Sequence, residues 1–176
     1  MKLGFDIDGV LAEFSGHFLN KYTPTDLSAP LHWDDERFKI NFPKTYNDKE
    51  FWLSIPRMIY PQDLPLRPHC YITARPIPNE WTMEWLWKNG FPYAPLYTVG
   101  HNGSKVEVFK QSGATHFVDD ALHNYDELIA AGIPCFLLTR SHNESRETPH
   151  RVDKLVDILY LITDYPNLFN SLNTNT

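Results

Sequence analysis

Two aspartates one residue apart, Asp6 and Asp8, lie near the start of the chain in the run FDIDGVLAEF. The apolar residues 2–7 predict a short strand, which Gly9 ends. Because alternate side chains of a strand share a face, both carboxylates can enter one crevice. Two like charges this close repel each other unless a cation or a proton lies between them. The pair therefore predicts a site that holds Mg²⁺ and supports acid–base chemistry. For the D-x-D-G pattern taken alone, an acidic turn at a strand end is the alternative.

Further side chains suited to chemistry follow the ends of other predicted strands. Thr73 ends the second strand in YITARP, and Asp119 and Asp120 end the fourth in HFVDD. Lys105 opens the helix that precedes the fourth strand. In an open parallel sheet, ligands bind at the carboxyl edge of the strands, so we expect these groups to lie close together. Carboxylates with a lysine, a hydroxyl and exposed backbone amides suit a phosphate ester held on a divalent metal.

The elements that must position these groups alternate along the chain. Strands are predicted at residues 2–7, 69–73, 96–99, 115–118 and 134–138. Helices are predicted after the later strands, at residues 80–89, 105–111, 122–131 and 152–163. This alternation indicates βαβ units, and hence an α/β fold built on a doubly wound parallel sheet of five strands.

The segment between Asp8 and the second strand is too long for an ordinary connection within a compact domain. It carries helical patterns at residues 12–22 and 47–53. We therefore expect a small, mainly helical cap at residues 13–68, inserted above the site. The remaining division is a catalytic core at residues 1–12 and 69–165 and a C-terminal tail at residues 166–176.

Composition and charge narrow the class of protein. The length of 176 residues predicts one domain, and a hydrophobic content of 42% is enough for a proper core. The net charge of −6 argues against a protein that binds the nucleic-acid backbone, because such proteins carry a basic face. An anion recognised by this chain is therefore expected to be small and held by a few local cations.

The cysteines and the chain start bear on the compartment. Cys70 and Cys135 both fall inside apolar, strand-like runs, which predicts buried thiols in a reducing cytoplasm rather than a disulfide or a metal pair. Met1 leads directly into the first strand, so no signal peptide is expected. No apolar run is long enough to span a membrane. We expect a cytoplasmic protein.

Taken in order, D-x-D-G-V at residues 6–10, Thr73, Lys105 and the Asp119–Asp120 pair resemble the four motifs of the haloacid dehalogenase superfamily of phosphohydrolases. The likeness spans about residues 2–140. More narrowly, DIDGVLAEF, an FW pair, ITARP and KVEVFK look like the 5′(3′)-deoxyribonucleotidase group and its small bacterial and phage relatives. The resemblance implies the strand order 5-4-1-2-3. It also implies a Mg²⁺-dependent phosphomonoesterase whose substrate is a nucleoside monophosphate, with a deoxyribonucleotide favoured.

The resemblance also implies roles for the acids. Asp6 would attack phosphorus and form an aspartyl-phosphate. Asp8 would protonate the leaving alcohol and then activate water against that intermediate. Mg²⁺ would lie on Asp6, the backbone carbonyl of Asp8 and Asp120, with Asp119 behind them as a support.

The remaining groups of the implied site handle the phosphate. Thr73 and the backbone N–H of Ala74 would hold the phosphate oxygens, and Lys105 would neutralise their charge. For Arg75 two interpretations stay open, an ion pair with a carboxylate or a contact with the phosphate. His142 and Asn143, after the fifth strand, are candidates for the rim of the site.

The aromatic residues of the insertion bear on the substrate. We expect Phe51 and Trp52 to form the core of the cap, and Phe14 or Phe18 to face the pocket, where a base could stack. The proline-dense residues 58–68 replace a helix usual in the nucleotidase group, which leaves the shape of the cap open. Two alternatives therefore remain: a phosphatase for another small phosphoester, and a phosphate-binding or scaffolding protein without turnover.

Overall fold

The computed structural model describes residues 1–26, 35–101, 103–170 and 172. Within these residues a six-stranded sheet has the order β3-β2-β1-β4-β5-β6, and every neighbouring pair is parallel. The strands are β1 (Leu3–Phe5), β2 (Cys70–Thr73), β3 (Leu96–Thr98), β4 (His116–Asp119), β5 (Cys135–Leu138) and β6 (Arg151–Val152). The α/β class and the parallel sheet predicted from the sequence are confirmed.

Helices connect the strands and cover both faces of the sheet. They are α1 (Phe14–Tyr22), α2 (Glu36–Asn41), α3 (Lys49–Ser54), α4 (Asn79–Lys88), α5 (Val106–Ser112), α6 (Leu122–Ala130) and α7 (Asp157–Asp164). Short 3₁₀ helices lie at Phe42–Asn47 and Pro61–Asp63. None of the described helices is long and apolar enough to cross a membrane.

The expected sheet of five strands gains a sixth. The expected neighbour order of the first five is found, and β6 is added beside β5, where Leu137 pairs with Arg151 and Leu138 with Val152. The prediction of one helix over residues 152–163 was therefore wrong at its start. A strand of two residues has no alternating pattern of its own, and the spacing from Val152 to Leu155 imitates a helical face.

Alternation along the strands sends apolar side chains to both faces, as a sheet covered on two sides requires. Phe5, Tyr71 and Val118 pack in one of the two buried clusters formed by the described residues. Ile72 and Phe117 pack in the other, with side chains from α5 and α6. The two cysteines, Cys70 and Cys135, are buried and free, so the prediction of buried thiols is confirmed.

The insertion between β1 and β2 packs on the first of these clusters. Its aromatic rings lie close together: Phe14 is 5.5 Å from Phe18 and 5.6 Å from Trp52 between ring centroids. Phe51 is also buried there. In the described residues, these rings and the apolar side chains of the sheet form one continuous cluster. Phe51 and Trp52 therefore do not build a separate core for the cap.

Candidate functional site

The carboxyl ends of β1, β2 and β4 meet at one edge of the sheet, and a cavity of about 480 Å³ opens there. Register explains the convergence, because Phe5 pairs with Tyr71 on one side and with Val118 on the other. The cavity is lined by most of the residues that the motifs singled out, namely Asp6, Asp8, Thr73, Ala74, Arg75 and Lys105. Residues far apart in the chain thus share one site.

The turn after β1 is built around Gly9. This residue has a φ of +80°, a conformation that side chains with a Cβ atom rarely adopt. A Cβ atom at this position would lie 2.0 Å from Oδ2 of Asp120. Because glycine has none, the carboxylate of Asp120 can approach the turn that carries Asp6 and Asp8. Arg140, from the loop after β5, holds the turn from the other side, with its Nε donating to the carbonyl of Gly9 at 2.6 Å.

Lys105 lies between two aspartates. Its Nζ is 2.9 Å from Oδ1 of Asp6 and 2.8 Å from Oδ2 of Asp119, and only 1% of its side chain is exposed. Burial lowers the pKa of Lys105, but the carboxylates of Asp119 and Asp6 outweigh it and hold the pKa above its ordinary value. The lysine is therefore a permanent cation directly beside Asp6.

The acids nevertheless outnumber this cation. Carboxylate oxygens of Asp6, Asp119 and Asp120 lie within 4.8 Å of one another, and all three residues are buried. Burial raises the pKa of Asp6 well above its ordinary value; Lys105 opposes the rise, and the neighbouring carboxylates add to it. The pKa of Asp120 is raised as well, mainly by burial. Such a cluster of hard oxygen ligands suits a divalent cation.

The paired acids after β4 have different surroundings. Oδ2 of Asp119 accepts from Lys105, and Oδ1 accepts from the N–H of Ala121 at 2.9 Å and from Nδ2 of Asn124 at 3.3 Å. Both carboxylate oxygens of Asp119 therefore already accept hydrogen bonds. Of the pair, Asp120 is therefore the better candidate for a metal ligand. The supporting role expected for Asp119 stays a prediction.

His142 and Asn143 contact Asp120 rather than only forming a rim. His142 Nε2 lies 3.0 Å from Oδ2 of Asp120, and Asn143 Nδ2 donates to its backbone carbonyl at 2.7 Å. Burial is the largest single effect and lowers the pKa of His142, but the hydrogen bonds and the charge of Asp120 together outweigh it and raise the pKa above its ordinary value. The pair orients Asp120 toward the cluster of acids.

Arg75 makes an ion pair with Asp8, one of the two interpretations left open by the sequence. Its guanidinium Nη2 lies 2.7 Å from Oδ1 of Asp8. Thr73 and Ala74 line the cavity next to it, and Oγ1 of Thr73 accepts from the N–H of Arg75 at 3.3 Å. A contact between Arg75 and phosphate stays a prediction.

The two phenylalanines proposed for substrate binding are placed differently. Phe14 lines the cavity, whereas Phe18 is fully buried behind it. Trp52, expected in a cap core, also lines the cavity. Helical spacing puts Phe14 and Phe18 on one face of α1, and only the docking of α1 decides which of them reaches the cavity.

Several residues that line the cavity were not predicted from the sequence. These are Lys39, Phe42, His101, His123, Asn124 and Glu127. For His101 a signal existed, since it follows the end of β3 at the same edge of the sheet. For the three residues on α6, the signal was the start of that helix directly after Asp120. Lys39 and Phe42 reach the cavity through the packing of the insertion, which no local pattern predicts.

Comparisons with known proteins add nothing to this picture, because no protein-family model and no curated protein matches the sequence. The structure defines an α/β protein with a buried cluster of acids and a lysine at the carboxyl edge of a parallel sheet.

Proposed function

We propose that this protein is a Mg²⁺-dependent phosphomonoesterase of the haloacid dehalogenase type, acting on a nucleoside monophosphate, with a deoxyribonucleotide favoured. One observation carries the proposal. A buried lysine lies 2.9 Å from the carboxylate of Asp6, and Asp8, Thr73 and Ala74 line the same cavity. A carboxylate nucleophile, a neighbouring acid and a set of phosphate-binding groups are the parts that phosphoryl transfer to an aspartate requires.

The proposed reaction has two steps. Asp6 attacks phosphorus and the bond from phosphorus to the ester oxygen breaks, while Asp8 gives its proton to the leaving alcohol. Asp8 then takes a proton from a water molecule that attacks the aspartyl-phosphate, which releases phosphate and restores Asp6. Asp8 serves as acid and then as base, so a single residue returns to its starting state after each turnover.

The charge that gathers on the phosphate oxygens needs partners at the site. Lys105 supplies a positive charge beside Asp6, and the hydroxyl of Thr73 and the N–H of Ala74 supply hydrogen bonds. Lys105 forms ion pairs with two acids of the site, so its charge stays close to the reacting group.

Asp6, Asp120 and the backbone carbonyl of Asp8 are the proposed ligands of Mg²⁺. The clustered carboxylate oxygens and the raised pKa of Asp6 support this choice. When bound, the ion supplies positive charge that keeps the carboxylates ionised and attracts the phosphate.

The cavity supports a leaving group with a flat ring. Its volume of about 480 Å³ lies within the range of roughly 300–1,000 Å³ typical of small-molecule sites. Phe14, Phe42 and Trp52 form an apolar side on which a base could rest. Lys39 and Glu127 at the mouth favour the second candidate, a phosphatase for a more polar ester such as a sugar phosphate.

Phosphate release tests the proposal. The purified protein is incubated with para-nitrophenyl phosphate, with nucleoside and deoxynucleoside monophosphates and with sugar phosphates, in Mg²⁺ or in a chelator. We expect Mg²⁺-dependent release that Asp6→Asn reduces by several orders of magnitude. The control Asp126→Asn alters an exposed acid outside the cavity and should leave the rate unchanged. Absence of turnover on the whole panel would favour a binding or scaffolding protein.

A further inference from the structure

The guanidinium group of Arg75 holds the carboxylate of Asp8 with two hydrogen bonds. Nε donates to Oδ2 at 2.8 Å, and Nη2 donates to Oδ1 at 2.7 Å. Two parallel bonds fix the plane of a carboxylate, whereas a single bond lets it rotate. The carboxylate of Asp8 is therefore held in one orientation at the wall of the cavity, and each of its oxygens keeps a lone pair for another partner.

Two indole rings in turn hold the guanidinium group. Its central carbon lies 5.1 Å from the ring centroid of Trp52 and 5.2 Å from that of Trp85. Indole faces attract a planar cation, and the attraction is stronger away from water. The Arg75 side chain has no exposed surface at all. It thus lies in a slot between α3 of the insertion and α4 of the core.

Both indoles are themselves fixed. Nε1 of Trp52 donates to the carbonyl of Thr45 at 2.9 Å, and Nε1 of Trp85 donates to the carbonyl of Ile55 at 2.8 Å. Both acceptors belong to the segment between β1 and β2. The orientation of Asp8 therefore depends on how the insertion packs against α4.

This arrangement is an inefficient way to stabilise a fold. A buried ion pair is often no better for stability than apolar side chains of the same volume. Nη1 of Arg75 is also buried without a hydrogen-bond partner in the described part of the chain, which adds to the cost of burial. A stacked arginine is better explained by what it does to Asp8 than by its contribution to packing.

We infer that Arg75 is a positioning residue for proton transfer and that Trp52 and Trp85 keep it in place. Arg75 fixes the carboxylate of Asp8 so that the proton passes between its oxygen and the ester oxygen as the bond to phosphorus breaks, and between its oxygen and water in the second step. Arg75 itself transfers no proton. The inference rests on the proposed function, because the proton transfer by Asp8 belongs to it.

Dependence on the leaving group tests the inference. An alkyl phosphate, such as a nucleoside monophosphate, needs its leaving oxygen protonated, whereas para-nitrophenolate leaves readily without a proton. We expect Arg75→Lys, which keeps the charge but not the paired hydrogen bonds, to lower kcat/KM for the alkyl ester by about 10²–10⁴-fold, the usual range for general acid catalysis. For para-nitrophenyl phosphate, kcat/KM should fall by less than about 10-fold.

The second step gives an independent readout. Without an oriented Asp8, water attacks the aspartyl-phosphate slowly, so Arg75→Lys should show a burst of para-nitrophenolate followed by a slow phase. Arg75→Ala leaves a slot of guanidinium shape, and millimolar guanidinium ion should restore part of the alkyl ester activity. Ammonium at equal ionic strength should not. This rescue also shows that the variant is folded.

A pair of variants on α4 separates positioning from general damage. Trp85→Leu should impair the alkyl ester more than the aryl ester, as Arg75→Lys does. Trp87→Leu changes an exposed indole two residues away, 77% accessible, and should leave both esters unaffected.

The outcomes distinguish the inference from the proposed function. A wild-type protein that hydrolyses neither ester overturns both. If wild type is active and Asp8→Asn discriminates between the esters, equal losses on both esters in Arg75→Lys, without a burst and without rescue, overturn the inference alone. Selective loss of the alkyl ester together with guanidinium rescue supports it.

Discussion

Replacing Lys105 with methionine should destabilise the protein strongly at neutral pH. The lysine is 2.9 Å from Asp6 and 2.8 Å from Asp119, and the exposed fractions of the three side chains are 1%, 9% and 0%. Breaking a buried ion pair by removing one partner costs about 3–5 kcal/mol, because the other charge stays buried without compensation. We expect the free energy of unfolding, measured by urea titration without Mg²⁺, to fall by about that amount in Lys105→Met.

The loss of stability in Lys105→Met should be smaller at acidic pH. With the pKa of Asp6 raised in the folded protein, the folded state binds more protons than the unfolded chain at pH values above the unfolded carboxyl pKa of about 3.9. Without the lysine this pKa rises further, so protonation relieves the variant as the pH falls. The difference between variant and wild type should therefore be smaller at about pH 5 than at about pH 7.5.

A matched control lies on α5, the helix that begins directly after Lys105. Lys110 pairs with Glu107 at 3.0 Å, but the side chains are 54% and 72% exposed. Lys110→Met should change the free energy of unfolding by no more than about 1 kcal/mol, the usual limit for exposed pairs. If Lys105→Met is as stable as Lys110→Met at neutral pH, the buried ion pairs of Lys105 contribute no more to stability than an exposed pair does.

Three further predictions concern the same cavity. Gly9→Ala places a Cβ atom 2.0 Å from Oδ2 of Asp120 and should abolish the rise in unfolding temperature produced by Mg²⁺, measured by calorimetry. In wild type, the rise in unfolding temperature produced by Mg²⁺ should be larger at higher pH, because the raised pKa of Asp6 lets protons compete with the ion for its carboxylate. A rise of equal size in acid would contradict this prediction. Phe14→Ala should raise KM for a nucleoside monophosphate by about 5–150-fold, the equivalent of one stacked base, while Phe18→Ala should mainly lower stability, by about 3–5 kcal/mol.

Part of the site could be predicted because it depends on strand ends. Parallel strands align their carboxyl ends, so residues that end β1, β2 and β4 had to meet once these were recognised as neighbours in one sheet. This reasoning predicted that Asp6, Thr73 and Asp119 gather at one edge of the sheet, whereas the order of the strands was implied only by the resemblance. The burial of Cys70 and Cys135 could also be predicted from the sequence, since apolar residues flank both.

The sequence-based prediction was wrong where a strand is too short to show an alternating pattern of apolar residues. Arg151–Val152 forms a strand of two residues, and its pairing with β5 depends on backbone hydrogen bonds such as that from Thr139 N–H to the carbonyl of Val152 at 2.8 Å. Backbone hydrogen bonds do not depend on the types of the side chains, so the sequence does not reveal this pairing. The apolar residues around Val152 were therefore assigned to the helix that starts later, at Asp157.

By itself, then, the sequence determined the α/β class, the parallel sheet and the edge at which the chemistry-bearing side chains gather, because these follow from periodicity and chain direction. Only the tertiary structure decided which of these side chains are partners. Arg75 could have met a phosphate or any carboxylate, and Trp52 and Trp85 set it against Asp8 from separate helices. Such pairings depend on how elements dock, and docking is a property of the assembled surfaces rather than of any local run of residues.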